Sequence, residues 1–254
     1  MGGLFFGWHS RLTTIKKYIT MKNVNLKTIF KTFIAVAAVS AVFVACSKDK
    51  YEPQQVAGLS IISAFPDTMS LDFYIDQTRV TNEKALKYNR KIDYLNLFPG
   101  NRTLSIAKRN SNKALAFESY NLVSGVGYSL FVLDTLKTNT KKYLLTEDDL
   151  SAPAAEKAKV RFINLSKDAP ALSLRISGKD ADLFTNKSFY EYTAFSAVDP
   201  GESVTFNVNA GTETKAALPN VKIEKGKIYT IYAKGISTAT IDSLKLGAAI
   251  YTHK

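Results

Sequence analysis

Two stretches far apart in the chain align without a gap. SIISAFPDTMSLDFYID (60–76) overlays RFINLSKDAPALSLRIS (161–177) at an offset of 101 residues, which puts Asp67 on Asp168, Leu71 on Leu172, Phe73 on Leu174 and Ile75 on Ile176. The same offset carries Pro99-Gly100 onto Pro200-Gly201, Gly125 onto Gly226 and Tyr128 onto Tyr229. Separate blocks at one offset mark a duplicated unit, and the unit sets the fold. Register slips by one between Leu104/Ile106 and Val204/Phe206/Val208, as a bulge or a one-residue loop change would produce.

Each unit reads as strands. Leu172-Ser-Leu174-Arg-Ile176 and Val204-Thr-Phe206-Asn-Val208 alternate apolar with polar at period two, the pattern of half-buried strands. Residues 228–233, IYTIYA, are apolar on both faces and belong in the middle of a sheet. Turn residues recur every ten or so positions, the spacing of a sandwich or barrel. Some seven short strands per unit fit an immunoglobulin-like β-sandwich, so the expected fold is all-β with two such domains in tandem. The first covers residues 56–150, a linker SAPAAEK covers 151–157, and the second covers 158–254. Residues 146–158 are expected to form a short helical turn or a linker.

The first 45 residues read differently. They hold six basic residues (Arg11, Lys16, Lys17, Lys22, Lys27, Lys31) and no acidic one, and residues 33–45, FIAVAAVSAVFVA, are uncharged. That run is too short for a helix across a hydrocarbon core of about 30 Å, which needs about 20 residues. A basic start, a short apolar run and a small residue before a cut site make a signal peptide. Met21 opens a complete leader of its own, so the signal peptide is placed at 21–45. Phe43-Val44-Ala45-Cys46 resembles a lipobox, which implies a diacylglycerol on Cys46 as the first mature residue. Two or three acyl chains hold a protein on a membrane where one does not. Cys46 is the only cysteine, so no intramolecular disulfide forms. Residues 46–55 are then a lipidated tether. Ser47 is not the aspartate associated with inner-membrane retention, and an outer-membrane location is expected, with the facing open between surface and periplasm.

Without the leader, 28 basic residues face 22 acidic ones, a charge near +6 rather than +12. The charges are scattered and mostly lysine. Nucleic acid would want a clustered patch, so it is not an expected partner.

The stretch Arg161-Phe-Ile-Asn164-Leu-Ser166-Lys-Asp168-Ala169-Pro170-Ala-Leu172 resembles the opening motif of the bacterial domain of unknown function 4397 (DUF4397). The second copy has Lys167 where the motif has proline and Ser173 where it has aspartate. The first copy keeps Pro66-Asp67 and Leu71-Asp72-Phe73-Tyr74 but has Thr68-Met69 in place of Ala-Pro. The resemblance implies a β-sandwich, often in tandem in exported proteins, and no established activity.

Little in the sequence is suited to catalysis. The two histidines are His9 in the leader and His253, the penultimate residue, expected on a fraying end. Ser-His-Asp and Cys-His sites need a held imidazole, and zinc sites need His and Cys ligands. No cofactor or metal is expected. Asp67 and Asp168 sit in turn sequences, where aspartate bonds nearby backbone amides. Glu147-Asp148-Asp149 lacks the alternation of a calcium loop. Tyr88, Tyr94, Tyr120, Tyr190 and Tyr192 lie beside turns, where an aromatic can pack or can meet a ligand.

The leading reading is a lipid-tethered, non-enzymatic binding or structural module of the cell envelope, with glycans or envelope proteins as partners. One alternative is a carboxylate-dependent hydrolase of glycans or peptides, using acids present in one copy alone: Asp72 against Ser173 and Asp93 against Ala194. The other is an adhesion or assembly subunit that pairs through an exposed strand edge.

Overall fold

A computed structural model describes residues 55–111, 113–133 and 143–253. The leader, Cys46 and most of the tether lie outside the described residues. Residues Gln54–Lys254 form one compact unit, with sixteen strands among the described residues.

The first eight are β1 (Ala57–Ser63), β2 (Leu71–Ile75), β3 (Thr78–Arg79), β4 (Lys91–Leu97), β5 (Gly100–Lys108), β6 (Ala114–Leu122), β7 (Gly127–Val132) and β8 (Tyr143–Asp148). The second eight are β9 (Ala158–Asn164), β10 (Leu172–Ile176), β11 (Phe184–Lys187), β12 (Ser196–Val198), β13 (Gly201–Ala210), β14 (Glu213–Ile223), β15 (Ile228–Lys234) and β16 (Gly247–Thr252). The four sheets run β4-β1-β7-β8, β3-β2-β5-β6, β12-β9-β15-β16 and β11-β10-β13-β14. The second pair repeats the first pair strand for strand, with β1 parallel to β7 and β9 parallel to β15. The all-β sandwich reading holds, with eight strands per repeat rather than seven.

Each repeat closes over its own core. Leu59, Ile61, Phe73, Leu104, Ile106 and Leu130 fill the first, and Val160, Phe162, Leu174, Phe206, Val208 and Ile231 fill the second. They come from alternate positions of facing strands, as the period-two pattern requires. β15 lies between β9 and β16 with nearly every residue buried, because its β-branched and aromatic side chains are covered on both faces. The register slip seen in the sequence is real. Ile75 pairs with Leu104 and Ile176 with Phe206, and β13 is irregular between Gly201 and Phe206. Gly125 and Gly226, both at φ +77°, occupy the same tight turn before β7 and β15, a backbone region that glycine enters without steric cost.

Of the helical turn or linker expected within 146–158, the structure has the linker, residues 149–157, with a turn in which the Lys157 amide donates to the Ala154 carbonyl at 3.1 Å. Thr146 is instead inside β8, where its backbone pairs with Ser129. The helical element among the described residues is one 3-10 turn, Asp242–Leu244.

The two sandwiches pack through the sheets that hold β1 and β9. Ile62, Ala64, Phe131 and Leu144 of the first meet Ile163, Leu165 and Tyr232 of the second. Equivalent positions such as Ile62 and Ile163 meet, and Lys159 at the start of β9 reaches Asp149 just past β8 at 2.7 Å. The starts of β1 and β9 therefore lie at the same end of the stack. Beside this apolar seam lies a closed ring of polar groups. Arg161 Nε donates to Thr230 Oγ1 at 2.7 Å, and the Thr230 hydroxyl donates to His253 Nε2 at 2.7 Å. His253 Nδ1–H then donates to Tyr94 Oη at 2.7 Å, and Tyr94 donates to Asp148 at 2.5 Å. Asp148 closes the ring on Arg161 at 2.6 Å. Those directions require a neutral imidazole.

The ring members stand at duplicated positions. Gly127 pairs with Asp148, and the carbonyl of its counterpart Ile228 accepts the His253 amide, so His253 occupies the place of Asp148. Arg161 corresponds to Ser60, Thr230 to Ser129, and Phe195 to Tyr94. One repeat supplies the acid, the other the guanidinium and the imidazole. The pairing is complementary only between unlike copies.

Candidate functional site

His253 is not on a frayed end. It is 4% exposed, because the backbone of β16 continues pairing with β15 up to the chain's last residues. Burial, with Arg161 and Lys91 nearby, drives its pKa down to about 3. Ser129, Asp148 and His253 thus come together, but not as a triad. Ser129 donates to Asp148 at 2.7 Å, while both imidazole nitrogens are taken by Tyr94 and Thr230. A general base must reach the proton it abstracts, and this imidazole is sealed between two sandwiches. The ring fastens the repeats together.

The other sequence candidates scatter. Asp67 accepts the Met69 amide at 2.7 Å, the turn role expected of it. Asp168 works at longer range: it accepts the Ser237 and Thr238 amides at 2.7 and 3.0 Å, tying the loop after β15. Burial works to raise its pKa, but those amides and the Thr238 hydroxyl hold it below the usual carboxylate range. Glu147, Asp148 and Asp149 do not converge. Asp148 turns inward to Arg161, Glu147 is exposed, and Asp149 meets Lys159. No cluster of three potential metal ligands occurs among the described residues.

The two acids of the hydrolase reading do not face each other. Asp72 is wholly buried on β2, where its carboxylate takes the Thr81 hydroxyl, the Asn110 amide and the Arg109 guanidinium, with Arg79 at 3.5 Å. Burial opposes its charge, yet these donors keep its pKa low. Asp93 lies on the other sheet, 92% exposed and paired to Lys91. Glycoside hydrolysis needs two carboxylates across one cleft.

Among the tyrosines singled out, four are committed to packing or internal bonds. Tyr94 belongs to the ring, Tyr120 donates to Glu118, and Tyr190 donates to the Tyr143 carbonyl at 2.7 Å. Tyr88 lies under Lys234, whose nitrogen is 5.0 Å from the ring centre, and burial pushes its hydroxyl up to about 12. Tyr192 is half exposed.

The open surface with recognisable chemistry is the outer face of the sheet β3-β2-β5-β6. Phe73 and Ile75 point into the core, so Tyr74 between them points out; the same alternation turns Ser105 and Phe117 outward. Tyr74 pairs with Ser105 and Ser105 with Phe117, which makes one aromatic–serine–aromatic row across three strands. Phe117 is 70% exposed, the most exposed of the large apolar residues described. Beside it run the pairs Thr103–Ser119, with hydroxyls 3.0 Å apart, and Asn101–Asn121. A hollow of about 420 Å³ opens between Tyr74, Gln77, Ser105, Ala107, Ser111 and Ala114. On β3 the Tyr74 row ends at Arg79, whose guanidinium is engaged by Asn82 at 3.0 Å and by Asp72 at 3.5 Å.

In the second sandwich the matching row is Arg175–Asn207–Ala217, and Arg175 is paired with Asp182. The fold therefore does not require aromatics there. Sequence reasoning missed Phe117 and Tyr74, because the row exists only once three strands are in register. The contrast of Tyr74 with Arg175 between the repeats was the available signal.

Among solved structures, the chain is similar to the carbohydrate-binding module CBMbc (family CBM26) of Eubacterium rectale Amy13K, solved with maltoheptaose. Identity is 12%, coverage 76% of this chain and 96% of that one, and the TM-score 0.24. A streptococcal virulence factor described by its alpha-glucan binding is similar at 9% identity, covering 69% of this chain and 92% of that one, with a TM-score of 0.24. Comparison with the curated proteins finds no match. Residues 57–175, the whole first sandwich and the start of the second, match the family described as Domain of unknown function (DUF4397), which bears out over that stretch the resemblance carried by its opening motif.

Proposed function

We propose that the chain is a non-catalytic binding module, held at the outer membrane by lipid on Cys46, which takes a neutral glycan on the outer face of its first sandwich. The observation that carries this is the aromatic–serine–aromatic row Tyr74–Ser105–Phe117 on the outer face, absent from the second repeat. A pyranose ring offers an apolar C–H face that stacks on an aromatic ring, whose face carries the negative part of its quadrupole. Its hydroxyls need short polar partners of both kinds, which Ser105, Gln77, Ser111 and Asn101 supply. An acidic polymer would call for free cations in these rows, and the arginine there, Arg79, is already engaged by Asp72 and Asn82.

Retention of the protein on an array of neutral glucans, mannans and xylans tests the reading. Phe117→Ala and Tyr74→Ala are each expected to weaken binding about tenfold or more, since a tenfold change corresponds to about 1.4 kcal/mol and buried aromatics dominate contact energies. Arg175→Ala on the other sandwich should leave it unchanged. Binding that survives both aromatic substitutions would remove the assignment.

A further inference from the structure

The end of the first sandwich where the chain enters from Cys46 shows two large apolar side chains to solvent. Phe98, 61% exposed, sits in the turn from β4 to β5, and Val123, 51% exposed, opens the loop from β6 to β7. The two loops adjoin. Gly100 pairs with Leu122, Ala57 pairs with Leu97, and the Gly125 amide donates to the Val56 carbonyl at 2.8 Å. Arg102 braces the turn by donating to the carbonyls of Phe98 and Pro99 at 2.8 and 3.2 Å, so Phe98 is displayed on a fixed backbone.

The second repeat builds the same turn and loop with Asp199 and Glu224 in these places, and Asp199 is paired to Lys157. The turn does not need an apolar residue. What distinguishes the first copy is its tether. Nine residues lie between Cys46 and Val56, and the ten steps of chain from one to the other span at most about 35 Å fully extended. A protein held by acyl chains on Cys46 therefore keeps this end close to the headgroups.

We propose that Phe98 and Val123 form a lipid-contact site, which dips into the bilayer interface and fixes how the two sandwiches stand on the membrane. This rests on the acylation of Cys46. A pair of apolar side chains on fixed loops contributes apolar area to the interface and adds an orienting contact to the lipid anchor.

Trp8 lies in the leader, so a mature chain beginning at Cys46 has no tryptophan of its own, and a single introduced one reports its own surroundings. The full chain is expressed with its leader, extracted, and reconstituted into phosphatidylcholine vesicles containing a minor fraction of phosphatidylglycerol, with or without brominated acyl chains. Phe98→Trp and, separately, Val123→Trp should shift emission to the blue and lose most of it to brominated lipid. Ile241→Trp, exposed on the loop between β15 and β16 at the far end of those strands, should do neither. The intact mass of the same samples reads the anchor. Acylated Phe98→Trp and Val123→Trp chains that both escape quenching overturn the lipid-contact site and spare the anchor. An unacylated chain overturns both, and equal quenching in the Ile241→Trp variant overturns the orientation.

Discussion

Arg161→Ala is expected to lower the unfolding free energy by about 3–5 kcal/mol, the cost of leaving one partner of a buried ion pair without the other. Arg161 and Asp148 are 1% and 0% exposed at the side chain, so water cannot replace what the substitution removes. Four further groups lose a partner: Thr230 loses the Nε donor, the Glu147 carbonyl a bond of 3.1 Å, the Tyr251 hydroxyl one of 3.4 Å, and the Phe195 ring the cation 4.7 Å from its centre. For a unit of this size the melting temperature should fall on the order of 10 °C, at roughly 2–4 °C per kcal/mol. The double variant Arg161→Met with Asp148→Leu should recover much of the loss, because a buried pair exchanged for apolar residues of similar volume is often neutral or better. Thermal unfolding of the single and double variants checks this. Equal instability in both would mean that packing at the seam, rather than an unpaired charge, sets the cost.

The second large effect is with acid. His253 has its pKa lowered to about 3 in the fold, first by burial and then by Arg161 and Lys91. The unfolded chain takes up a proton near the ordinary value of about 6.5, so below that point the unfolded state binds more protons and gains. Stability is complete above about pH 6.5 and declines as pH falls toward 3. At about 1.4 kcal/mol per pH unit, the loss between pH 7 and pH 4 is on the order of 3 kcal/mol. Protonation would also put a second donor at Nε2, facing the Thr230 hydroxyl that now donates to it. A His253→Gln variant keeps a neutral side chain at every pH, so its denaturant midpoint should fall less steeply over that interval. Acid loss at Asp72, Asp149 and Asp168 is common to both proteins and cancels in the comparison. Parallel curves for the two would place the titration elsewhere.

The strand pattern was legible because it is local. Alternation along 172–176 and 204–208, the doubly apolar run at 228–233 and the glycines before β7 and β15 all report on their own neighbourhoods. Duplication added what local pattern lacks, since a shared offset exposed the one-residue slip between Leu104/Ile106 and Val204/Phe206/Val208 before any strand was paired. His253 was illegible for the opposite reason. A penultimate residue usually frays, and its partners come from Tyr94 in the other repeat and Thr230 on the neighbouring strand. Asp168 was read as a local turn, yet its carboxylate holds a loop some seventy positions away. The aromatic row on the outer face falls between these cases: alternation turns Tyr74 outward, but placing Phe117 in the same row needs the β2–β5–β6 register.

Backbone amide resonances followed by NMR during titration with the neutral polysaccharide that the array selects test the binding account most directly. Shifts should concentrate on Tyr74, Ser105 and Phe117 and their neighbours Thr103 and Ser119, with the row at Arg175 and Asn207 unmoved and the sugar recovered intact. Shifts centred on the second sandwich, or release of shortened sugar by the protein, would contradict it.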